Sequence, residues 1–274
     1  MIVHLIDGTY ELFRHFYGLR RFHKTDPPFG AVSGVLNTVA KMIEDGATHV
    51  GVATDHIIES FRNELWPGYK TGAGIDRVLL AQFHPLEEAL DAMGVAVWPM
   101  VEYEADDALA AAARLAAKSK AVEKVCIWTP DKDLAQCVSE DRVVQIDRRK
   151  NEIRNEAAIV AKFGVAPKFI PDYLALVGDS ADGYPGIKGL GARTAATLIN
   201  RHGPIEDFPA EVLSEDNRRL ALLFKDLATL RTDIPLFKNV NELRWKGATA
   251  GFEAMTKRIG DARLAERVAR LEAS

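Results

Sequence analysis

The sequence predicts an α/β fold, with a largely parallel central sheet flanked by helices and then a helical region. Two observations carry this. Short apolar runs, most of them ending in Asp, alternate with stretches of helical spacing through the N-terminal part, and strands alternating with helices imply a parallel sheet. From about residue 157 the pattern changes to short helical stretches separated by Gly and Pro. The expected division is an α/β part over 1–164 and a helical part over 165–274.

The first strand is IVHLID (2–7), an apolar run ending in Asp7 and followed by Gly8. Helical spacing over 32–45 leads to a second run, HVGVATD (49–55), which ends in Asp55. The stretch 76–93 has helical spacing again, with Pro85 expected to end its first short helix. A third, shorter run, VAVW (95–98), leads into EYEADD (102–107) and an alanine-rich helix over 104–118. The fourth run, KVCIWTPD (124–131), ends in Asp131, with Asp133 two places on. Beyond residue 157, KFGVAPKFIPDYLALVGD, GARTAATLINRHG and NRRLALLFKDLATLR read as helices; no internal repeat or low-complexity tract interrupts them.

Composition is that of an ordinary globular protein, 47% hydrophobic and 27% charged. No apolar run is long enough to span a bilayer, and MIVHLIDGTYELFR lacks the layout of a secretory signal. Cys126 and Cys137 are too few for a disulfide framework or a zinc site, so a reducing cytoplasm is the expected compartment. The net charge of −4 is unevenly spread. Residues 185–274 carry 15 Lys and Arg against 12 Asp and Glu, whereas residues 1–184 carry 20 against 27.

Ligands of open α/β sheets bind beyond the carboxyl ends of the strands. Asp7, Asp55 and Asp131 lie at such ends, and the EYEADD acids follow another. Acids at a helix start also complement the helix dipole, and Asp is a common turn residue, but neither explains so many on one edge. Carboxylates so crowded need raised pKa values or bound cations. Oxygen-only donors indicate a hard cation, Mg²⁺ or Mn²⁺, and a set this large can hold two ions ~4 Å apart. VGDSADGYPG adds Asp179 and Asp182, three residues apart. PGIKGLGARTAATLI follows, whose Gly186, Gly189 and Gly191 let a hairpin lead into a helix N-terminus, a ready phosphate site. It follows no strand and lacks a third dinucleotide-fingerprint glycine, so a hairpin gripping a nucleic-acid backbone is the better reading.

Together, DGTYELFR (7–14), SFRNELWPGYK (60–70), EADD (104–107), TPDKDL (129–134), GDSADGYPGIKGLGARTA (178–195) and LRTDIPL (230–236) resemble the bacterial and phage 5′–3′ exonuclease and flap endonuclease family. That family includes the nuclease domain at the front of bacterial DNA polymerase I; here a stand-alone nuclease is expected, since no polymerase region follows residue 274. The resemblance implies a PIN/FEN-like sheet and a helix–hairpin–helix. It implies nine carboxylates around two Mg²⁺ ions: Asp7, Asp55, Glu104, Asp106, Asp107, Asp131, Asp133, Asp179 and Asp182. It places Arg14, Arg62 and Lys70 near the scissile phosphate, and Tyr69 where it can stack on a base. It assigns Gly186, Lys188, Gly189, Gly191, Arg193 and Thr194 to DNA binding, and admits a K⁺ ion at the hairpin carbonyls. An arch over the active site is implied for 71–86. Gly183 stands where the family usually has Asn.

The expected function is therefore a two-metal-ion nuclease of DNA replication and repair. It would act at 5′ flaps, 5′ ends and nicked or branched duplexes, as a monomer, in the cytoplasm on the nucleoid. Competing readings are a ribonuclease of related fold, a phosphatase using Asp7, and a non-catalytic structure-specific DNA-binding protein. The phosphatase lacks its second acid, Thr9 standing there, and the complete acid set disfavours the last.

Overall fold

The computed structural model describes residues 1–20 and 28–272. Strand β1 (Ile2–Asp7) runs directly into helix α1 (Gly8–Leu19), because the Asp7 carboxylate caps α1 by accepting from the Tyr10 amide. Helix α2 (Gly30–Glu44) and strand β2 (His49–Asp55) follow, then the short helices α3 (Arg62–Leu65) and α4 (Arg77–Leu80). Next come α5 (Phe83–Ala92), β3 (Ala96–Met100), α6 (Ala105–Lys118) and β4 (Lys124–Trp128). A hairpin of β5 (Val143–Asp147) and β6 (Glu152–Arg154) closes the sheet, and α7 (Glu156–Phe163) follows.

The sheet order is β3-β2-β1-β4-β5-β6, parallel throughout except for β6. The chain builds outward from β1 to β3 on one side, then crosses back to lay β4 on the other side of β1. The reversal leaves a crevice beyond the carboxyl ends of β1 and β4, where open sheets bind ligands. Helices cover both faces. On one, Ile6, Val50 and Val52 pack against α1, α2 and α5. On the other, Val3, Leu5, Ala53 and Ile127 meet the alanine face of α6, whose small side chains bring that helix close to the sheet.

Four expected strands are present, the fourth ending at Trp128 because Thr129 and Pro130 lead the chain out of the ladder. The expected helical stretch at 76–93 is two helices. It breaks at Gln82, whose side chain turns inward and accepts from the Ala31 and Val32 amides at the start of α2. Pro85 ends nothing: it sits in the first turn of α5, where no backbone N–H is needed. Leu79 and Phe83 are buried in the core beside α2, so of the expected arch only residues 71–76 lie outside the packed helices. Helix α1 and the β5–β6 hairpin had no expectation behind them.

The helical part has its own core, built from α8 (Ile170–Val177), α9 (Ala192–His202) and α10 (Glu215–Ala228). The chain then returns to the sheet. Trp245 bonds Thr48 and Met93, and α11 (Phe252–Arg258) and α12 (Ala262–Glu272) bury Phe252, Leu264 and Val268 against the α2–α5 layer. Ser33 and Asn37 of α2 both donate to Asp261, and Arg267 forks onto Glu44. No described helix is long and apolar enough to cross a membrane.

Candidate metal centre and nucleic-acid interface

Seven of the nine expected carboxylates frame the crevice with oxygens free of arginine. Asp7 ends β1; it is held by the Tyr10 amide at 2.8 Å and the Thr129 hydroxyl at 2.9 Å. Burial pushes its pKa up to about 7 against those hydrogen bonds, and the charges of Asp55 and Asp131 add to the rise. Asp55 ends β2 and accepts from the Ala105 amide at the start of α6, at 2.8 Å; burial raises its pKa as well. Asp106 stands in the first turn of α6, held well above the ordinary carboxylate range by burial and by the charges of Asp131 and Asp7. Asp131, in the turn after β4, is exposed and accepts from the Asp133 amide.

Asp133, Asp179 and Asp182 form a second group, each offering an oxygen within 4.8 Å of the others. Asp133 is buried by the turn that follows β4, and its Oδ1 has no hydrogen-bond partner. Burial raises the pKa of Asp133 and of Asp182, helped by neighbouring acids; for Asp182 the Lys70 ammonium opposes the rise. Asp179 is partnered by Lys132 at 2.7 Å and by the Ala181 amide.

A hard divalent cation fits these residues. The donors are all carboxylate oxygens, the buried Asp133 oxygen lacks any other partner, and several acids are forced towards protonation when they have only one another for company.

The other two carboxylates have different work. Asp107, fully buried, takes a two-pronged contact from Arg62 at 2.7 Å on each oxygen, and the Glu104 and Arg231 amides fill the rest. With four donors it has no lone pair left for a cation. Arg62, 1% exposed, spends its remaining donors on Glu104 and on the Leu227 and Thr229 carbonyls. The structure therefore makes Arg62 and Asp107 a buried clasp between α6 and the end of α10 rather than a phosphate contact and a metal ligand. Glu104 joins both worlds. Burial would raise its pKa, but Lys70, Arg62 and the Ser60 hydroxyl hold it below the usual value.

Lys70 lies between the two halves of the site, 2.7 Å from Glu104 and 3.0 Å from Asp182. Its backbone is fixed by the amide bond to the Asp182 carbonyl. The Tyr69 ring, 4% exposed, is buried against Tyr173 and Tyr184 of the helical core with its hydroxyl towards Glu104, so it presents no face to a base. Arg14 is partly exposed on α1, held by Glu11 at 2.5 Å through Nη2.

The hairpin after α8 has the expected build. Gly186 is in the left-handed region, and a Cβ there would come within 2.4 Å of the Gly178 nitrogen, so the turn admits only glycine. The Ile187 amide donates back to the Leu176 carbonyl of α8, and the Leu190 amide closes the turn on the Ile187 carbonyl. Lys188, Gly189, Gly191, Arg193 and Thr194 are exposed together, and α9 starts without a side-chain cap, leaving its first amides open. Lys132 and Thr129 escaped the sequence reading. Both lie inside the TPDKDL stretch, but nothing in sequence distinguishes an acid's partner from a solvated neighbour.

Comparison with known proteins finds two family models that match in succession. Residues 2–164 match the 5′-3′ exonuclease N-terminal resolvase-like domain, and residues 165–250 match the 5′-3′ exonuclease C-terminal SAM fold. The chain is 32% identical over 255 residues to a 5′-3′ exonuclease of Aquifex aeolicus, covering 89% of this chain and 86% of that one. It is 32% identical over 289 residues to DNA polymerase I of Rhizobium leguminosarum, covering 94% of this chain but 28% of that one. Among solved structures it superposes on a bacteriophage T5 flap endonuclease in complex with DNA and metal ions. The TM-score is 0.67 at 19% identity, covering 97% of this chain and 100% of that one.

Proposed function

Because the chain belongs to the 5′-3′ exonuclease family, we propose that it is an Mg²⁺-dependent nuclease cutting DNA at 5′ ends, 5′ flaps and nicked or branched duplexes. One observation carries the reading: carboxylates from β1, β2, α6, the turn after β4 and the loop after α8 meet in one crevice, with a buried Asp133 oxygen left for a cation. Asp7, Asp55, Asp106 and Asp131 would hold one ion, and Asp133, Asp179 and Asp182 a second. Bound there, Mg²⁺ or Mn²⁺ would supply Lewis acidity that activates water at neutral pH and would neutralise charge on the phosphate.

The protein's own groups do the rest. Thr129 and the Tyr10 amide fix the direction of the Asp7 oxygens. The Lys70 ammonium, poised between Glu104 and Asp182, is placed to exchange a carboxylate for a phosphate oxygen as negative charge develops. Arg14, partly exposed one helical turn beyond the Asp7–Tyr10 cap, is a second cation available to the strand. Lys188, Arg193 and the open amides of α9 hold duplex phosphates away from the crevice, and the hairpin carbonyls are a site for K⁺. A monomer working in the cytoplasm, on the nucleoid, completes the proposal.

The test is digestion of end-labelled flap, nicked and single-stranded DNA with and without Mg²⁺. Metal-dependent release of 5′ products, lost in Asp131→Asn, is expected. Binding of flap DNA with no cleavage at any divalent-ion concentration would leave a DNA-binding protein instead. Lys70→Ala should lower the single-turnover rate more than affinity.

A further inference from the structure

Beside the carboxylate crevice lies a second recess, of whose lining the proposed chemistry uses only Arg14 and the Tyr10 amide. It has a volume of about 390 Å³ and is lined by Tyr10, Phe13, Arg14, Tyr17 and Gly18 of α1 and by Arg149 of the β5–β6 turn. Positions 10, 13, 14 and 17 share one face of α1, so the recess starts one turn from Asp7 and runs along the helix away from it. Tyr17 is half exposed, and the Tyr10 hydroxyl is buried without a hydrogen-bond partner.

The facing wall is a constructed one. Asp147, buried at the end of β5, accepts from the Arg149 and Lys150 amides and takes the buried Arg154 guanidinium on its other oxygen. These bonds fix the turn Arg148–Asn151, and Asn151 closes it in the left-handed region. Arg148 folds inward over the Trp128 ring at 4.4 Å. Arg149 and Lys150 are left exposed, and neither side chain makes an ion pair among the described residues. Because β5 is parallel to β4, this basic turn emerges at the same sheet edge as the catalytic acids.

Aromatic faces opposite unpaired cations are the elements of a single-strand site, where bases stack and phosphates are neutralised. The geometry points to this recess as a subsite for a nucleotide of the unpaired DNA strand next to the cleavage point. In it a base lies on Tyr17 and the adjoining phosphate meets Arg149 and Lys150. The inference rests on the nuclease reading, since it takes its DNA from there, but it concerns binding and is measured without turnover.

The experiment uses the full chain in EDTA with fluorescent flap DNA carrying 2-aminopurine at successive positions of the unpaired arm, beside a blunt duplex. The parent should quench 2-aminopurine at one or two arm positions. Tyr17→Ala should abolish that quenching and weaken flap binding by roughly fivefold or more, while Tyr17→Phe retains both. Arg149→Ala combined with Lys150→Ala should flatten the salt dependence of arm binding by roughly 0.7 for each phosphate no longer neutralised. Blunt-duplex affinity should move less in every variant, and circular dichroism should match the parent. Parental quenching in Tyr17→Ala, or a parental salt slope in the double variant, overturns the subsite. Arm quenching by a protein that cuts nothing would keep the subsite and sink the nuclease.

Discussion

At the scale of single residues, the site is a set of acids that the fold forces together against their electrostatic preference. The ordinary carboxylate value is 3.8, and Asp7 is raised to about 7 by burial. Between those values the unfolded chain releases the Asp7 proton while the folded chain keeps it, so stability falls as pH rises through the window and is fully diminished above it. Asp106, Asp133 and Asp182 are raised too and act in the same direction. In chelator, the melting temperature should therefore drop from pH 5 to pH 8, and Mg²⁺ should reverse the drop. A melting curve independent of Mg²⁺ at pH 8 would count against the cation site. Asp133→Asn should raise the metal-free melting temperature and weaken its response to Mg²⁺, because it removes a repelled charge and a ligand at once. Asp107 predicts the opposite behaviour. Asp107→Ala leaves Arg62 buried and unpaired, an imbalance worth about 3–5 kcal/mol, so loss of stability should be its first effect. Denaturant unfolding would check it, and a parental midpoint would refute the clasp.

Between elements, the contact that sets the site is the docking of the 66–70 turn onto the loop after α8. Gly183 is in the left-handed region, and a Cβ on it would lie 2.0 Å from the Gly68 carbonyl oxygen. The Trp66 indole donates to the Gly183 carbonyl, and the Lys70 amide donates to Asp182. Gly183 thus allows the close approach that puts Lys70 within reach of Asp182. Gly183→Ala should cost about 1–3 kcal/mol in strain and push Lys70 out of register. Single-turnover cleavage should slow more than duplex affinity falls, because Lys70 is displaced at the crevice itself while Lys188 and Arg193 lie further along the hairpin. On the hairpin itself, Lys188→Ala and Arg193→Ala should each weaken duplex binding and reduce the salt slope by about 0.9 for each phosphate left without its cation. Titrations at several salt concentrations would reveal it, and an unchanged slope in both would make the hairpin structural only.

For the whole molecule, the last two helices matter more than their distance from the chemistry implies. Residues beyond 250 fall outside the stretches that match the family, yet Phe252, Ile259, Leu264 and Val268 are buried in the layer that also holds α2 and α5. At about 1.5–3 kcal/mol for each buried side chain, removing them forfeits an amount comparable to the total stability of a typical domain. A chain ending at residue 250 should be unfolded or aggregated, which circular dichroism and limited proteolysis would show. A folded, cooperative 1–250 fragment would mean that the closing helices are an accessory.

By itself the sequence determined the parallel sheet, its acid-bearing strand ends and the glycine hairpin, because period, Asp placement and glycine spacing are local properties of the chain. It determined which residues carry charge near one edge, but not what each charge faces. Asp106 and Asp107 are adjacent and chemically alike; the helix turns one towards Asp7 and Asp131, and the other onto Arg62. Tyr69 and Lys70 are likewise neighbours, one sealed into the helical core and the other open between two acids. The β5–β6 turn and the return of α11 and α12 to α2 were equally out of reach. A successive pair of side chains points in different directions, and partners dozens to hundreds of residues away decide which direction is buried. Those partners are chosen by packing the whole chain, so the division between ligand, clasp and core belongs to the tertiary structure alone.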